Sequence, residues 1–171
     1  ASVGANHCYG YAAQDIFGAP FPHPTDRFSE ENADIVIFNQ DETAWKECGI
    51  SCTFSGGWGW IQLFGQLLSA ARGIDRYEDD AYLAAVGERM FNLERAFNIR
   101  QGFARQDDYL PDRIRTEGLH TRKAEGEGQI VGHNDAFLDK YYELRGWTKN
   151  GVPTAEKLKA LNLDFAVNDM K

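Results

Sequence analysis

The sequence predicts an all-α fold, an irregular multihelical domain with long loops. Apolar residues recur at helical spacing in several segments, and no segment alternates convincingly at period two apart from a brief stretch at Gln129–Val131. The chain has 171 residues, of which 43% are hydrophobic and 13% aromatic, so it can bury a substantial core. It contains no internal repeat.

Helix boundaries follow from capping residues and glycines. Ser29 is followed by two glutamates and is a good N-cap, and the helix that it begins is predicted to run to about Cys48. A second helical stripe ends at Gly73, a natural C-cap. Beyond the central helix and a polar stretch, two more helices are predicted, one ended by Gly146 and one beginning after Thr154.

The stretch Gly87–Arg113 is the one around which we expect the chain to be organised. A long helix is predicted to bury one stripe of apolar residues spaced by three and four, namely Leu83, Val86, Met90, Leu93 and Phe97. Polar and charged residues then crowd against aromatic and aliphatic ones. Such a segment either ties helices together through buried hydrogen bonds and ion pairs or approaches a ligand.

The composition argues against several classes of function. The net charge of -8 argues against nucleic-acid binding, because nothing here would neutralise phosphates. No apolar run approaches the length of a membrane span, so we expect no membrane association. Three cysteines do not form a secreted disulfide framework, which favours a cytoplasmic protein with reduced thiols. The chain begins at Ala1 without a methionine, and we expect a processed chain or an excised part of a larger one.

Three short stretches carry residues suited to chemistry. His7, beside Cys8, is either a metal or catalytic residue or a loop histidine bonded to backbone. Cys48 and Cys52 lie four apart, but a structural zinc needs a second ligand pair that the sequence lacks, and cysteine is often a small buried hydrophobe. The glycine- and tryptophan-rich segment Ser55–Trp60 either lines a pocket or forms a packing corner.

Taken together, the segments resemble the C-terminal part of the tungsten-containing aldehyde ferredoxin oxidoreductase family. The resemblance runs nearly end to end and is most specific at residues 47–54, 87–111 and 141–163. Family enzymes are several times longer and place a β-rich pterin-binding domain before two mostly helical domains. The resemblance implies that residues 1–171 are the C-terminal helical region of a larger oxidoreductase, with a loop-rich, cofactor-facing part at 1–57 and a helical body at 58–171.

The family holds tungsten between two pterin dithiolenes, beside a four-iron, four-sulfur cluster. Its C-terminal motif, Asp-x-x-Gly-Leu-Cys, implies that Cys52 is the fourth cluster ligand, which suits a thiolate. The pterin-binding Asp of the motif falls on Glu47, and its Gly-Leu pair on Ile50-Ser51, with glycine shifted to Gly49. Both are departures from the motif. The family also carries a histidine close to tungsten, and the resemblance implies that His7 is this catalytic residue.

The implied reaction is oxidation of an aldehyde to a carboxylic acid, with electrons passed singly through the cluster to ferredoxin or another electron-transfer protein. The resemblance implies a tungsten or molybdenum bis-pterin and the cluster in the full-length protein. We expect no cofactor in this chain alone, because Cys52 by itself cannot hold a cluster. The implied partners are the N-terminal part of the enzyme, the electron acceptor, and a small aldehyde or aromatic substrate.

Two alternatives remain open. Some relatives reduce an aromatic ring carried on coenzyme A, and the Ser55–Trp60 segment departs from that of the simplest aldehyde oxidisers. The second alternative is that the isolated chain is a catalytically inert helical domain, which closes one side of a cofactor site formed by the rest of the enzyme. In either enzyme we expect Tyr9, Trp58 and Trp60 to line the substrate channel.

Overall fold

The computed structural model describes residues 8–11, 29–52, 60–118, 128, 130 and 134–170. Its helices are α1 Ala33–Cys48, α2 Trp60–Arg72, α3 Asp80–Arg100, α4 Asp112–Thr116, α5 Asn134–Arg145 and α6 Ala155–Ala160. Short 3-10 helices occupy Glu30–Asn32, Asp75–Glu78, Arg105–Asp108 and Asp164–Met170. Within these ranges the strand-like pairing is a single bridge between Trp147 and Pro153, so the predicted all-α fold is confirmed. None of the helices described is both long and apolar enough to cross a bilayer.

Local hydrogen bonds confirm the predicted helix boundaries. Ser29 Oγ accepts a hydrogen bond from the Glu31 N–H at 3.2 Å and begins a 3-10 turn that leads into α1. Thr154 Oγ1 accepts one from the Lys157 N–H at 3.2 Å at the start of α6. Gly73 follows the last residue of α2 with a φ of 65°. The brief alternation predicted near residue 130 falls mostly outside the described residues.

Helices α1 and α3 cross at close range. Gly87 of α3 lies against the backbone of Asp41 on α1, and a Cβ at this glycine would overlap the Asp41 carbonyl oxygen. One turn further along α3, Phe91 is buried in a cluster that includes Ala44 of α1 and Trp147 after α5. The crossing therefore brings α1, α3 and the end of α5 into one core.

The buried face of α3 differs from the predicted one. Leu83 is buried as predicted, but Leu93 and Phe97 are 40% and 54% exposed. The buried side chains follow Leu83 at four-residue spacing through Gly87 to Arg95. The predicted stripe is wrong for the second half of the helix because the crossing at Gly87 sets the rotation of α3. In that half of the helix the ion-paired Arg95 faces the core, whereas the hydrophobic spacing predicts that Leu93 and Phe97 do so.

Arg95 is buried and joins three segments of the chain. Its two Nη groups donate to the Asp108 carboxylate at 2.9 and 2.6 Å, and its Nε donates to the Gly151 carbonyl at 2.8 Å. The Tyr142 hydroxyl donates to the same carboxylate at 2.5 Å. The guanidinium carbon also lies 5.0 Å from the centroid of the Trp147 ring. The segment after α3 thus ties helices together, the first of its two predicted roles.

A second buried arginine, Arg145 at the end of α5, binds α1. Its Nη1 donates to the Asp41 carboxylate at 2.5 Å and its Nη2 to Gln40 Oε1 at 2.9 Å. Its guanidinium carbon lies 4.2 Å from the centroid of the Phe91 ring. Burial raises the pKa of Asp41 to about 6, although Arg145 acts to lower it. Charged pairs therefore fill core positions where α1, α3 and α5 meet.

Helix α1 ends in a turn that holds a β-branched residue in an unfavourable conformation. Ile50 has a φ of 55°, and its side chain is 94% exposed. Its N–H donates to the Glu47 carbonyl at 2.9 Å, while the Ser51 N–H donates to the Lys46 carbonyl at 3.3 Å. These two bonds form a Schellman motif, in which glycine usually holds the left-handed position.

The glycine of this turn stands one residue earlier, at Gly49. Phe64 of α2 packs over the end of α1, and a Cβ at Gly49 would overlap its ring. The Phe64 ring centroid also lies 5.7 Å from that of Trp45. Gly49 therefore preserves the contact between α1 and α2, and the left-handed position is left to Ile50.

We expect Arg95→Met to lower the free energy of unfolding by about 3–5 kcal/mol, because it leaves the Asp108 carboxylate, which is only 10% exposed, without its cation. Urea unfolding of the purified protein followed by circular dichroism measures this change. The matched control is Arg113→Met, which removes an exposed ion pair with Glu117 and should change stability by no more than about 0.5 kcal/mol. Equal effects of the two substitutions would contradict the expectation.

We expect Ile50→Gly to stabilise the protein by about 0.5–1 kcal/mol. A left-handed conformation costs a non-glycine residue about 1–2 kcal/mol, and glycine gives part of this back through its freedom in the unfolded chain. Ile114→Gly is the control: this half-exposed isoleucine lies within α4, where glycine should destabilise by about 0.5–1 kcal/mol. Thermal unfolding temperatures that move in the same direction for both variants would refute the assignment of strain to Ile50.

Candidate functional site

Residues 8–11, which directly follow His7 in the sequence, lie along one face of α1. Asn39 Nδ2 donates to the Tyr11 carbonyl at 2.9 Å, and Thr43 Oγ1 donates to the Cys8 carbonyl at 3.5 Å. Both side chains are buried, and they lie four residues apart on the helix. The segment therefore runs antiparallel to α1, from Thr43 near the C-terminal half of the helix back toward Asn39.

Tyr9 extends this contact by one more helical turn, to Glu47. Its hydroxyl is 2.7 Å from Glu47 Oε2 and 3.1 Å from Glu94 Oε1 on α3. The side chain is only 3% exposed, and the Phe91 ring centroid lies 6.2 Å from its own. Burial, the hydrogen bond to Glu47 and the charge of Glu94 raise the pKa of Tyr9 far above its usual value. Tyr9 therefore remains a protonated donor, and its expected place in the wall of a substrate channel is wrong.

Glu47 lies in the last turn of α1 and is half-buried. A carboxylate is disfavoured there, because the C-terminal end of a helix carries partial negative charge. The hydrogen bond from Tyr9 offsets this cost. The structure thus places Glu47, one of the predicted site residues, against Tyr9. Tyr9 belongs to the segment that directly follows His7, another predicted site residue.

His7 itself lies outside the described residues, as does the glycine–tryptophan stretch before Trp60. Cys52 is described, and its thiol is exposed, two residues beyond Ile50. Across the described part of the chain, no three His, Cys, Asp or Glu side chains are grouped so that they could hold a metal ion. Among the described residues, Cys52 is therefore an exposed cysteine that is not part of a metal-binding group.

Cys48 is exposed, as Cys52 is, but its thiol also contacts α3. Its thiol lies 3.1 Å from the Met90 sulfur on α3. Burial raises the pKa of Cys48, and the charges of Glu94 and Glu47 raise it further. A thiol held in its protonated form is a poor metal ligand. This environment favours a structural role for Cys48, but the residue is exposed and is not the buried hydrophobe that the sequence suggested.

Tyr9, Glu47 and Glu94 form a cluster, and the sequence does not predict the contact between Tyr9 and Glu94. Tyr9 and Glu94 are 85 positions apart, and no local pattern links them. Glu94 lies beside the predicted apolar stripe of α3 and reads there as an ordinary solvated charge. Only the crossing of α1 and α3 brings Glu94 to Glu47, so a tertiary contact was needed to find the cluster.

Comparison with known proteins agrees with the sequence resemblance. Residues 1–163 match the family described as aldehyde ferredoxin oxidoreductase, domains 2 and 3. The tungsten-containing aldehyde ferredoxin oxidoreductase of Pyrococcus horikoshii is 35% identical over 151 residues, which cover 88% of this chain and 24% of that protein. The corresponding protein of Pyrococcus furiosus is 33% identical over 165 residues, covering 94% of this chain and 26% of that protein. The chain therefore spans about a quarter of the length of these relatives.

A solved structure has a similar arrangement of helices. It is the active-site complex BamBC of benzoyl coenzyme A reductase in complex with 1,5-dienoyl-CoA. The likeness has a TM-score of 0.64 and 26% sequence identity, and it covers 86% of this chain and 22% of that one. With a family match over residues 1–163 and relatives of up to 35% identity, the chain belongs to the aldehyde ferredoxin oxidoreductase family.

Proposed function

We propose that this chain is the C-terminal helical region of a tungsten-pterin, iron–sulfur aldehyde:ferredoxin oxidoreductase. The observation that carries the proposal is the contact between Tyr9 and Glu47, which joins the segment after His7 to the motif that ends at Cys52. In the family pattern these two stretches meet at the cofactors. The relatives' names and the short span of this chain relative to them support the same assignment.

Within that enzyme, the part up to residue 57 faces the cofactors and the part from residue 58 forms the helical body. Cys52 supplies one thiolate to the iron–sulfur cluster, and Glu47 contacts a pterin. The described residues fit these roles, because Cys52 is exposed and Glu47 is half-buried at the end of α1, where it accepts a hydrogen bond from Tyr9. The other ligands and the pterin-binding domain belong to the rest of the protein. The bound tungsten or molybdenum bis-pterin and the cluster would supply two-electron oxidation and single-electron transfer.

His7 acts as the proton-transferring residue. Conversion of an aldehyde and water to a carboxylic acid releases two protons and two electrons, and the protons need an acceptor near the reacting carbon. An imidazole titrates near neutral pH and can accept and release such a proton. Tyr9 cannot take this role, because its raised pKa keeps it protonated.

The electrons pass to ferredoxin or another electron-transfer protein, and a cytoplasmic location suits that partner and three reduced cysteines. The net charge of -8 gives no preference for ferredoxin. Taken alone, the chain is a helical domain without catalytic activity, since it carries only one of the cluster ligands.

A second candidate is reduction of an aromatic ring carried on coenzyme A. The likeness to a benzoyl coenzyme A reductase complex favours it, and so does the unusual Ser55–Trp60 segment. Both candidates use the same cofactors and the same placement of this chain. They differ in the substrate, which the remaining part of the enzyme helps to bind.

The test is to purify the full-length enzyme that contains this chain, and to measure tungsten, molybdenum and iron by mass spectrometry. Aldehyde-dependent reduction of ferredoxin and reduction of benzoyl-coenzyme A are then assayed side by side. We expect aldehyde oxidation, lowered about 100-fold or more by His7→Asn at unchanged metal content. His120→Asn, at a histidine in a polar stretch, is the control. An enzyme without tungsten or molybdenum would refute the proposal, and activity only on the thioester would favour the second candidate.

We expect Cys52→Ser in the full-length enzyme to lose the iron–sulfur cluster or make it labile, because a serine hydroxyl replaces a thiolate ligand. Iron per chain and the visible absorption of the cluster measure the effect. Cys8→Ser is the matched control and should leave both unchanged. Iron content equal to that of the parent in the Cys52 variant would exclude Cys52 as a ligand.

A further inference from the structure

The Tyr9 hydroxyl lies between two carboxylates. It is 2.7 Å from Glu47 Oε2 at the end of α1 and 3.1 Å from Glu94 Oε1 on α3. A buried tyrosine needs only one acceptor to satisfy its hydroxyl. Glu47 already accepts the proton of the Tyr9 hydroxyl, so the Glu94 carboxylate is not needed as an acceptor. It brings a second negative charge to a single donor.

The donated hydrogen bond opposes the repulsion between Glu47 and Glu94. Two like charges beside one group disfavour each other, more so when water is partly excluded. A hydroxyl has one proton to donate, and the shorter contact assigns it to Glu47. Tyr9 thus holds the Glu47 carboxylate while Glu94 acts to displace it. Without the hydroxyl, Glu47 would be free to turn toward solvent.

The support behind Tyr9 is fixed. Backbone carbonyls on both sides of it are bound by Asn39 and Thr43, two buried side chains of α1. The Phe91 ring packs against its ring, with the centroids 6.2 Å apart. Tyr9 is therefore the anchored partner of the pair, and Glu47 is the partner whose side chain can move.

We propose that Tyr9 is a positioning residue whose hydroxyl holds the Glu47 carboxylate in the orientation that contacts the pterin. This inference rests on the proposed function, which assigns Glu47 to the pterin. Residues that orient a cofactor-binding group commonly change cofactor affinity or activity about 10–100-fold when they are altered. Loss of the Tyr9 hydroxyl should therefore loosen the cofactor without removing any group that touches it.

The test compares the rate of tungsten loss from full-length holoenzymes that carry Tyr9→Phe, Glu47→Gln or Tyr142→Phe. Each is incubated at the same interval below its own Tm, desalted, and analysed for tungsten per chain by mass spectrometry. Phenylalanine keeps the ring packing and removes only the hydroxyl. Tyr142→Phe is the matched control, because its buried hydroxyl also donates to a carboxylate, that of Asp108 at 2.5 Å.

We expect Tyr9→Phe to lose tungsten about 10-fold faster than the parent, and Tyr142→Phe to stay within about two-fold. The double variant Tyr9→Phe/Glu47→Gln should lose it no faster than Glu47→Gln alone, because Tyr9 acts only through Glu47. Additive rates in the double variant, or equal rates in the two tyrosine variants, would overturn the proposal.

The Glu47→Gln enzyme separates failure of this inference from failure of the proposed function. If it keeps tungsten as the parent does, Glu47 does not hold the pterin, and the role of Tyr9 falls with it. If it loses tungsten rapidly while Tyr9→Phe does not, the role of Glu47 stands and the positioning role of Tyr9 is wrong.

A further variant covers the case in which Tyr9→Phe yields no holoenzyme. Glu94→Gln removes the competing charge and leaves the Tyr9 proton to Glu47, so tungsten should be lost no faster than from the parent. Loss as fast as in Glu47→Gln would overturn the proposal, because Glu94 rather than Tyr9 would then govern the orientation of Glu47.

Discussion

The close crossing of α1 and α3 is the constraint on which the rest of the structure depends. Gly87 allows the two backbones to approach at Asp41, where any larger side chain would overlap the carbonyl oxygen. This approach sets the rotation of both helices. It turns Glu94 toward the end of α1, where the Tyr9 hydroxyl contacts both Glu94 and Glu47. A position far from the candidate site thus determines which side chains meet there.

The core around this crossing is held by charged groups as much as by apolar ones. Arg95 and Arg145 are each almost fully buried, and each binds a carboxylate together with a neutral oxygen acceptor. Buried ion pairs bring modest net stability, because desolvation offsets most of their attraction. Their directionality is what matters in this core. A guanidinium satisfied by fixed partners accepts only one register of its helix, whereas an apolar stripe tolerates several.

The sequence predicts the helices here better than it predicts their faces. Caps and glycines are local signals, and the boundaries at Ser29, Gly73 and Thr154 follow from them. The face of α3 is a tertiary property, so Leu93 and Phe97 were assigned to the core although both are substantially exposed.

In the candidate site too, local features could be predicted from the sequence and tertiary contacts could not. Glu47 and Cys52 could be named from a short motif, because they lie within one turn and its flank. The role of Tyr9 could not, because its partner Glu94 is 85 residues away and reads as a surface charge. Contacts across that distance follow from helix packing, for which a single sequence carries no direct signal.

The Arg145 contacts have a consequence for how the protein is made. Asp41 is bound by a residue 104 positions later, and Gln40 by that residue and by Tyr141. During synthesis from the N-terminus, α1 and α3 leave the ribosome well before α5 does. Until then the Asp41 carboxylate and the Phe91 ring lack the side chains that later cover them. The contacts of Arg145 with Asp41 and Phe91 can therefore form only after the last third of the chain has been synthesised.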